Sequence, residues 1–298
     1  MSMQVDSSKA SDARALGADP QESSGRPKTA RRSLPTMFLV HDLMGSLRAP
    51  GFWLYGAWMD TSLRHREQAL GALWSVAGTL IIVVFLGTLY SVLLNNTSPI
   101  YYAHLASGYV LWIFMVGSLT RSSRLYTKNR GMIQNGYVKY PDYVLRMFCG
   151  EFNNLAYNLI VVFGAVVLTP VVFTTAVFAL LFTVPLFLAA ILGTCFLFSV
   201  IGARYPDFGE LLRTVIRLGF FVTPIIWVPG AVGGKAGVIG AFLFANPFYY
   251  MIEIVRAPLV YAHVPWFEVG VVAAVTPVIW LMASLAYARA RPYVPLWL

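Results

Sequence analysis

At 298 residues, the chain is 58% hydrophobic and 15% aromatic but only 12% charged, against soluble averages of roughly 45–50% apolar and 25% charged. So few charges cannot cover a soluble protein of this size, and long uncharged runs without the short alternating segments of a β-barrel give an all-α polytopic membrane protein. The net charge of +9 fits basic residues gathered on the cytoplasmic side and excludes nucleic acid as a partner, because no soluble segment has a basic and aromatic binding pattern.

Residues 1–36 are rich in Ser, Ala, Asp, Lys and Arg and contain no apolar signal-peptide core, so they read as a disordered cytoplasmic tail. Region 37–68 includes GFWLYGAWMDTSLRHREQ, which crowds Phe52, Trp53, Tyr55 and Trp58 at its start and Arg64, His65, Arg66 and Glu67 at its end. An aromatic helix ending in charge just before a spanning run is expected to lie in the membrane interface as an amphipathic element.

Residues 69–298 then form a six-span domain. The expected transmembrane helices are 69–94, 101–119, 152–169, 176–201, 211–228 and 267–288. Arg213 and Arg217 in the first turns of the fifth must snorkel. Pro185, Pro224 and Pro277 fall inside the last three spans, where kinks are tolerated if neighbours satisfy the freed carbonyls. With the N-terminus inside, only Lys235 and Arg256 of the 22 Lys and Arg residues face outward, so both termini are expected in the cytoplasm.

The outward connection contains NPFYYMIEIVRAPLV, residues 246–260, with Pro247 and Pro258 bracketing ten residues. Ten residues make about 15 Å of helix, too short to span. The segment reads as a short re-entrant or amphipathic helix dipping into the outer half of the bilayer. Glu253 and Arg256 can pair at i,i+3, which lowers the cost of charge at that depth.

Residues for chemistry are sparse. The sequence places every Asp and Glu at a helix entrance, in a loop or in the tail, and His104 reads as an interfacial histidine near the outer end of the second span. His263 and Glu268 make a poor metal pair, and Cys149 and Cys195 have no metal-ligand spacing. GAVGGKA, residues 230–236, lacks the spacing and the Ser/Thr of a phosphate loop. No catalytic, cofactor or metal residue is assigned.

Four stretches carry a resemblance. REQALGALWSVAGTL, GARYPDFGELLRTVIRLGFFVTPIIW, NPFYYMIEIVRAPLV and ARARPYVPLWL occur in that order on the six-span plan. Together they resemble the permease subunits of ABC-2-type exporters, particularly those moving O-antigen, capsule or teichoic acid. The resemblance covers about residues 37–298 and implies no enzyme activity in this chain. It implies a homodimer in the bacterial inner membrane with two copies of a cytoplasmic ATPase that binds ATP and Mg, together with a lipid-linked glycan substrate and surrounding membrane lipids. An ABC-2 permease for small molecules or lipids, or a membrane enzyme acting on lipid-linked sugars, are the competing readings.

On the exporter reading, Arg121, Arg130, Lys139, Arg204, Asp207 and Glu210 are expected to couple to the ATPase, and Arg64 and Arg66 to guard the substrate entrance. Sugars present CH faces to aromatic rings, so Tyr101, Tyr109, Trp112, Phe221 and Trp227 are candidate channel residues. Phe248, Tyr249, Glu253 and Arg256 are the expected outer gate, with exchange of Glu253 and Arg256 expected to preserve part of its seal.

Overall fold

The computed structural model describes residues 37–66, 71, 73–93, 98–136, 139–228, 243 and 245–298. The tail 1–36, Ala72 and the GAVGGKA segment lie outside the described residues. In chain order the helices are α1 (Met37–Arg48), α2 (Gly51–Arg66), α3 (Leu73–Leu93), α4 (Tyr101–Ser122), α5 (Leu125–Lys128) and α6 (Arg130–Gln134). They continue as α7 (Tyr140–Leu168), α8 (Leu180–Arg204), α9 (Phe208–Val222), α10 (Pro247–Val260), α11 (Trp266–Ala290) and α12 (Val294–Trp297). A 3₁₀ turn, Thr175–Ala179, leads into α8. No strand occurs among the described residues.

Among the described residues, five elements are long and apolar enough to cross a membrane: α3, α4, α7, α8 with its leading turn, and α11. The expected fifth span is different. Its helix, α9, stops after 15 residues, about 22 Å at 1.5 Å per residue, against a hydrocarbon core of about 30 Å. The cause is Pro224, whose ring disfavours helical backbone at the residue before it. Thr223 accordingly turns extended, with φ −78° and ψ 131°. Pro185 and Pro277, by contrast, sit inside continuous helices, as does Pro258 in α10.

Two further expectations change. The region 37–68 contains two helices, and the first, α1, is tied to the end of α11: Tyr287 donates to Asp42 Oδ2 at 2.9 Å, and Arg291 pairs with the same oxygen at 3.3 Å. The third long helix begins at Tyr140 rather than at residue 152, with Pro141 and Asp142 in its first turn, both favourable at a helix start. Its 29 residues extend about 43 Å, longer than the hydrocarbon needs. Cys149 and Glu151 therefore lie within the helix, not at its entrance.

The central helix is α4. In its most apolar window 72% of residues are buried, compared with 17% for α3 at the periphery. Ala103, Ala106, Ser107, Gly108, Ser118 and Ser122 are buried on it, and small residues of this kind let neighbouring backbones approach closely. Helices α3, α7, α8, α9 and α10 all pack against α4. On the far side α8 holds α11: the Trp280 indole lies against Gly193 and donates to the Ala189 carbonyl at 3.0 Å.

Among the described glycines, Gly202 of α8 sits closest to another backbone, that of Ser123 beyond α4, where an added Cβ would overlap the Ser123 carbonyl. Backbone cannot swing aside as a side chain can. Gly202→Ala is therefore expected to destabilise by about 1–3 kcal/mol, read as a lower unfolding midpoint of the purified protein in detergent. At Gly164 of α7 a Cβ meets nothing within 4 Å, and Gly164→Ala should leave the midpoint unchanged or raise it.

Candidate functional site

Two sites occupy opposite ends of α4. His104 and Arg121, which mark them, are separated by about 26 Å of helix at 1.5 Å per residue.

The first is a closed polar lock built where α9 breaks. Asn246 begins α10: its Oδ1 accepts from Phe248 N at 3.0 Å, and Pro247 follows in the first turn. Asn at the N-cap with Pro behind it is a favourable helix start. The Asn246 amide also donates to Thr223 Oγ1 at 2.8 Å, fastening α10 to the end of α9. Further along α10, Arg256 is 1% exposed and is the largest fully buried side chain among the described residues. Its Nε and Nη2 donate to Glu253 Oε2 at 3.1 and 2.5 Å, and Nη1 donates to the Pro224 carbonyl at 2.7 Å.

Nη1 also lies 3.3 Å from His104 Nε2, and His104 Nδ1 lies 2.6 Å from the Tyr261 hydroxyl. A guanidinium has only donors, so Nε2 accepts and Nδ1 carries the proton given to Tyr261. Burial pushes the Tyr261 phenol up, with Arg256 opposing, so it stays protonated. Tyr101 completes the lock by donating to the Ile226 carbonyl at 2.7 Å. His104 is consequently a buried polar linker, not an interfacial residue. Its role, like those of Tyr261 and Thr223, was missed in the sequence, although the Thr-Pro and Asn-Pro pairs mark the two helix ends.

The second site is a cleft of about 600 Å³ between α4, α7 and α9. One wall is aromatic: Tyr109, Trp112, Phe220 and Phe221. Phe220 meets the Trp112 and Tyr109 rings at centroid distances of 5.7 and 6.3 Å, and Phe248 closes on Trp112 at 5.3 Å. The other end is charged, with Arg121, Arg213, Arg217 and Glu151. α9 supplies both characters along one side: Arg213 and Arg217 line the charged end, Phe220 and Phe221 the aromatic wall, and Ile216 lies between them.

No family model matches the chain. No curated protein matches it either.

Arg121 pairs with Glu151, whose side chain is 1% exposed and packs on Gly117. Glu151 thus corrects the sequence-based picture of helices free of acids in their interiors. From it a polar face continues along α7. Asn154 Oδ1 accepts from Ser75 of α3 at 2.8 Å, and the Asn158 amide donates to Ser75 Oγ at 3.2 Å.

The other expected residues divide between the two ends. Tyr101 and Trp227 belong with the lock, where the Trp227 indole donates to the Phe221 carbonyl at 3.3 Å. Tyr249 is buried beside Glu268, to which its hydroxyl donates at 3.4 Å. Glu268 is therefore turned inward, while His263 is exposed on the connecting loop. At the other end, Arg204 is the last residue of α8, with its guanidinium 5.4 Å from the Trp297 ring. Asp207 starts α9, and Glu210 in its first turn bridges Arg124 and Arg213. Arg130 and Lys139 are exposed beside α6 and α7. The side chains of Arg64 and Arg66 lie outside the described residues. Among the described residues, no group of three His, Cys, Asp or Glu side chains could hold a metal ion.

The lock makes a sharp expectation about exchange of charges. Arg256→Gln should destabilise by about 3–5 kcal/mol, because Glu253 keeps a buried charge without its cation. Exchange of Glu253 and Arg256 should not rescue it, since a carboxylate at 256 would face the Pro224 carbonyl, acceptor against acceptor. Thermal unfolding of the three variants in one detergent checks both statements, and recovery of the parental midpoint by the exchange would refute the second.

Proposed function

We propose that this protein is the transmembrane permease subunit of an ATP-driven exporter that moves a lipid-linked polysaccharide of the O-antigen kind across the bacterial cytoplasmic membrane. The cleft along α4 carries this reading, because it joins an aromatic wall to a basic mouth in one continuous surface. Rings can hold the CH faces of successive sugars through many weak contacts without trapping a moving chain. Arginines at the mouth suit the phosphate that links a glycan to its lipid carrier.

In this reading, α9 together with the irregular backbone after it serves as the fifth of six membrane elements, and α10 is re-entrant on the outer side. Non-helical backbone at that depth requires burial in protein, which the Arg256 lock supplies. Helix α2 lies in the cytoplasmic interface, with exposed Leu54, Tyr55, Trp58 and Met59 toward lipid and Asp60 holding Arg146 of α7 through two bonds of 2.7 Å. Both termini are cytoplasmic. Two copies of the chain enclose the pathway, and two copies of a separate ATPase dock on the charged end, where Arg130, Lys139, Arg204 and Asp207 are available. This chain contributes no catalysis.

Loss of the gene in its native host should leave lipid-linked polymer inside the cell and none at the surface. Complementation by a Phe220→Ala, Phe221→Ala double variant should restore export about tenfold less well than the parent, equivalent to about 1.4 kcal/mol. Phe163→Ala, on an exposed face of α7 away from the cleft, should restore it fully. Normal surface polymer in the deletion strain would reject the exporter reading. Turnover of lipid-linked sugars by the purified chain alone would replace it with a membrane enzyme.

A further inference from the structure

A second cavity adjoins the mouth of the cleft and was not singled out by the sequence. It encloses about 640 Å³ between α2, the end of α4, α5, the start of α7 and α9, and it shares Thr120, Arg121 and Arg213 with the cleft. Five cations line it: Arg121, Arg124, Lys128, Arg146 and Arg213. Three carboxylates pair with four of these cations, and of the three only Asp60 lines the chamber itself. Asp60 holds Arg146, Glu151 holds Arg121, and Glu210 alone serves both Arg124 and Arg213. Among the described residues, no carboxylate pairs with Lys128.

The three pairs differ in how firmly they are held. Glu151 is buried, and Asp60 grips Arg146 with two parallel bonds. The Glu210 bridge is open to water, with side chains 50%, 64% and 43% exposed for Arg124, Glu210 and Arg213. Exposed ion pairs contribute about 0–1 kcal/mol, so this carboxylate can be displaced. A phosphate group offers more oxygens than a carboxylate, and guanidinium forks match it bidentately.

We propose that this chamber binds a phosphate or pyrophosphate group, and that Glu210, exposed at its edge, is the anion the ligand displaces from Arg124 and Arg213. Without ligand, the Glu210 carboxylate joins Arg124 at the α4–α5 corner to Arg213 on α9. With ligand, phosphate oxygens take both guanidiniums, Lys128 adds a third cation, and Glu210 is released to water. The exchange changes what fastens α9 to the corner beside Gly209 and Ser123. Since α9 is also a wall of the aromatic cleft, occupancy of the chamber bears directly on the cleft. The inference rests on the exporter reading only for the source of the anion, a lipid-linked phosphate.

The test is calorimetric titration of the purified full chain, in uncharged detergent, with inorganic pyrophosphate. Saturable binding is expected. Arg124→Gln and Arg213→Gln should each weaken it about tenfold, or about 1.4 kcal/mol. Glu210→Gln should tighten it about threefold or more, because the competitor is gone, whereas Asp207→Asn, the same charge change outside the chamber, should alter it by less than about twofold. Parental affinity in both arginine variants overturns the site. Equal tightening by Glu210→Gln and Asp207→Asn overturns the displacement, leaving only a general charge effect.

Competition separates the sources of the group. Farnesyl pyrophosphate displacing the probe where phosphatidylglycerol does not supports a prenyl-linked cargo. Displacement by phosphatidylglycerol alone supports the anion site but makes its occupant a membrane headgroup. Failure of pyrophosphate to bind while the native host still exports polymer through this protein overturns the chamber and leaves the exporter reading standing.

Discussion

The structure depends on where the backbone carbonyls go once α9 stops. A proline ends the helix where Thr223, Ile225 and Ile226 are buried in the protein, and an unpartnered peptide group there costs several kcal/mol. Arg256 resolves this by reaching from α10 to the Pro224 carbonyl, while Tyr101 reaches from α4 to the Ile226 carbonyl. A buried guanidinium is itself costly, so Glu253 and His104 must accept its remaining protons. Each partner is in place because another requires it, and four segments of the chain are thereby held at one point.

The two ends of α4 show how burial decides what a charge can do. At the Arg256 end the ion pair is nearly enclosed, with side chains 1% and 12% exposed, its members have few alternatives, and breaking it leaves a charge in low dielectric. That arrangement suits a seal. At the Arg121 end, cations outnumber carboxylates and several pairs are open to solvent. There the same chemistry gives pairs that can be exchanged, which suits a surface that receives a ligand or a partner. The aromatic cleft runs between these regimes, with Trp112 touching Phe248 of the lock side and Phe220 of the cleft wall.

Much of the long-range plan was legible. Uncharged runs located α3, α4, α8 and α11 to within a few residues, since hydrocarbon thickness imposes their length whatever they pack against. The Asn-Pro pair announced the start of α10, and the spacing of Glu253 and Arg256 announced their pairing. Other features misled. The sequence puts the start of α7 too late because Glu151 looks like a polar boundary before the apolar run. It is instead part of the helix interior, paired with Arg121 of α4, while Asn154 meets Ser75 of α3 and Asn153 reaches Thr61 of α2. The fifth span was read through Thr223 and Pro224 because composition continued to be apolar after the backbone had turned.

By itself, then, the sequence determined that this is a multi-pass helical membrane protein, where most of its long helices run, and which residues could carry charge. Those properties follow from hydropathy, proline geometry and local pairing, all of which act over a few residues. Only the tertiary structure decided that His104 meets Arg256, 152 positions away, that Glu151 neutralises Arg121 inside the protein, and that Arg124 and Arg213 share one carboxylate. Those choices depend on which helix faces come together around the small residues of α4, and no local pattern encodes such a meeting, because each partner looks ordinary until the other is beside it.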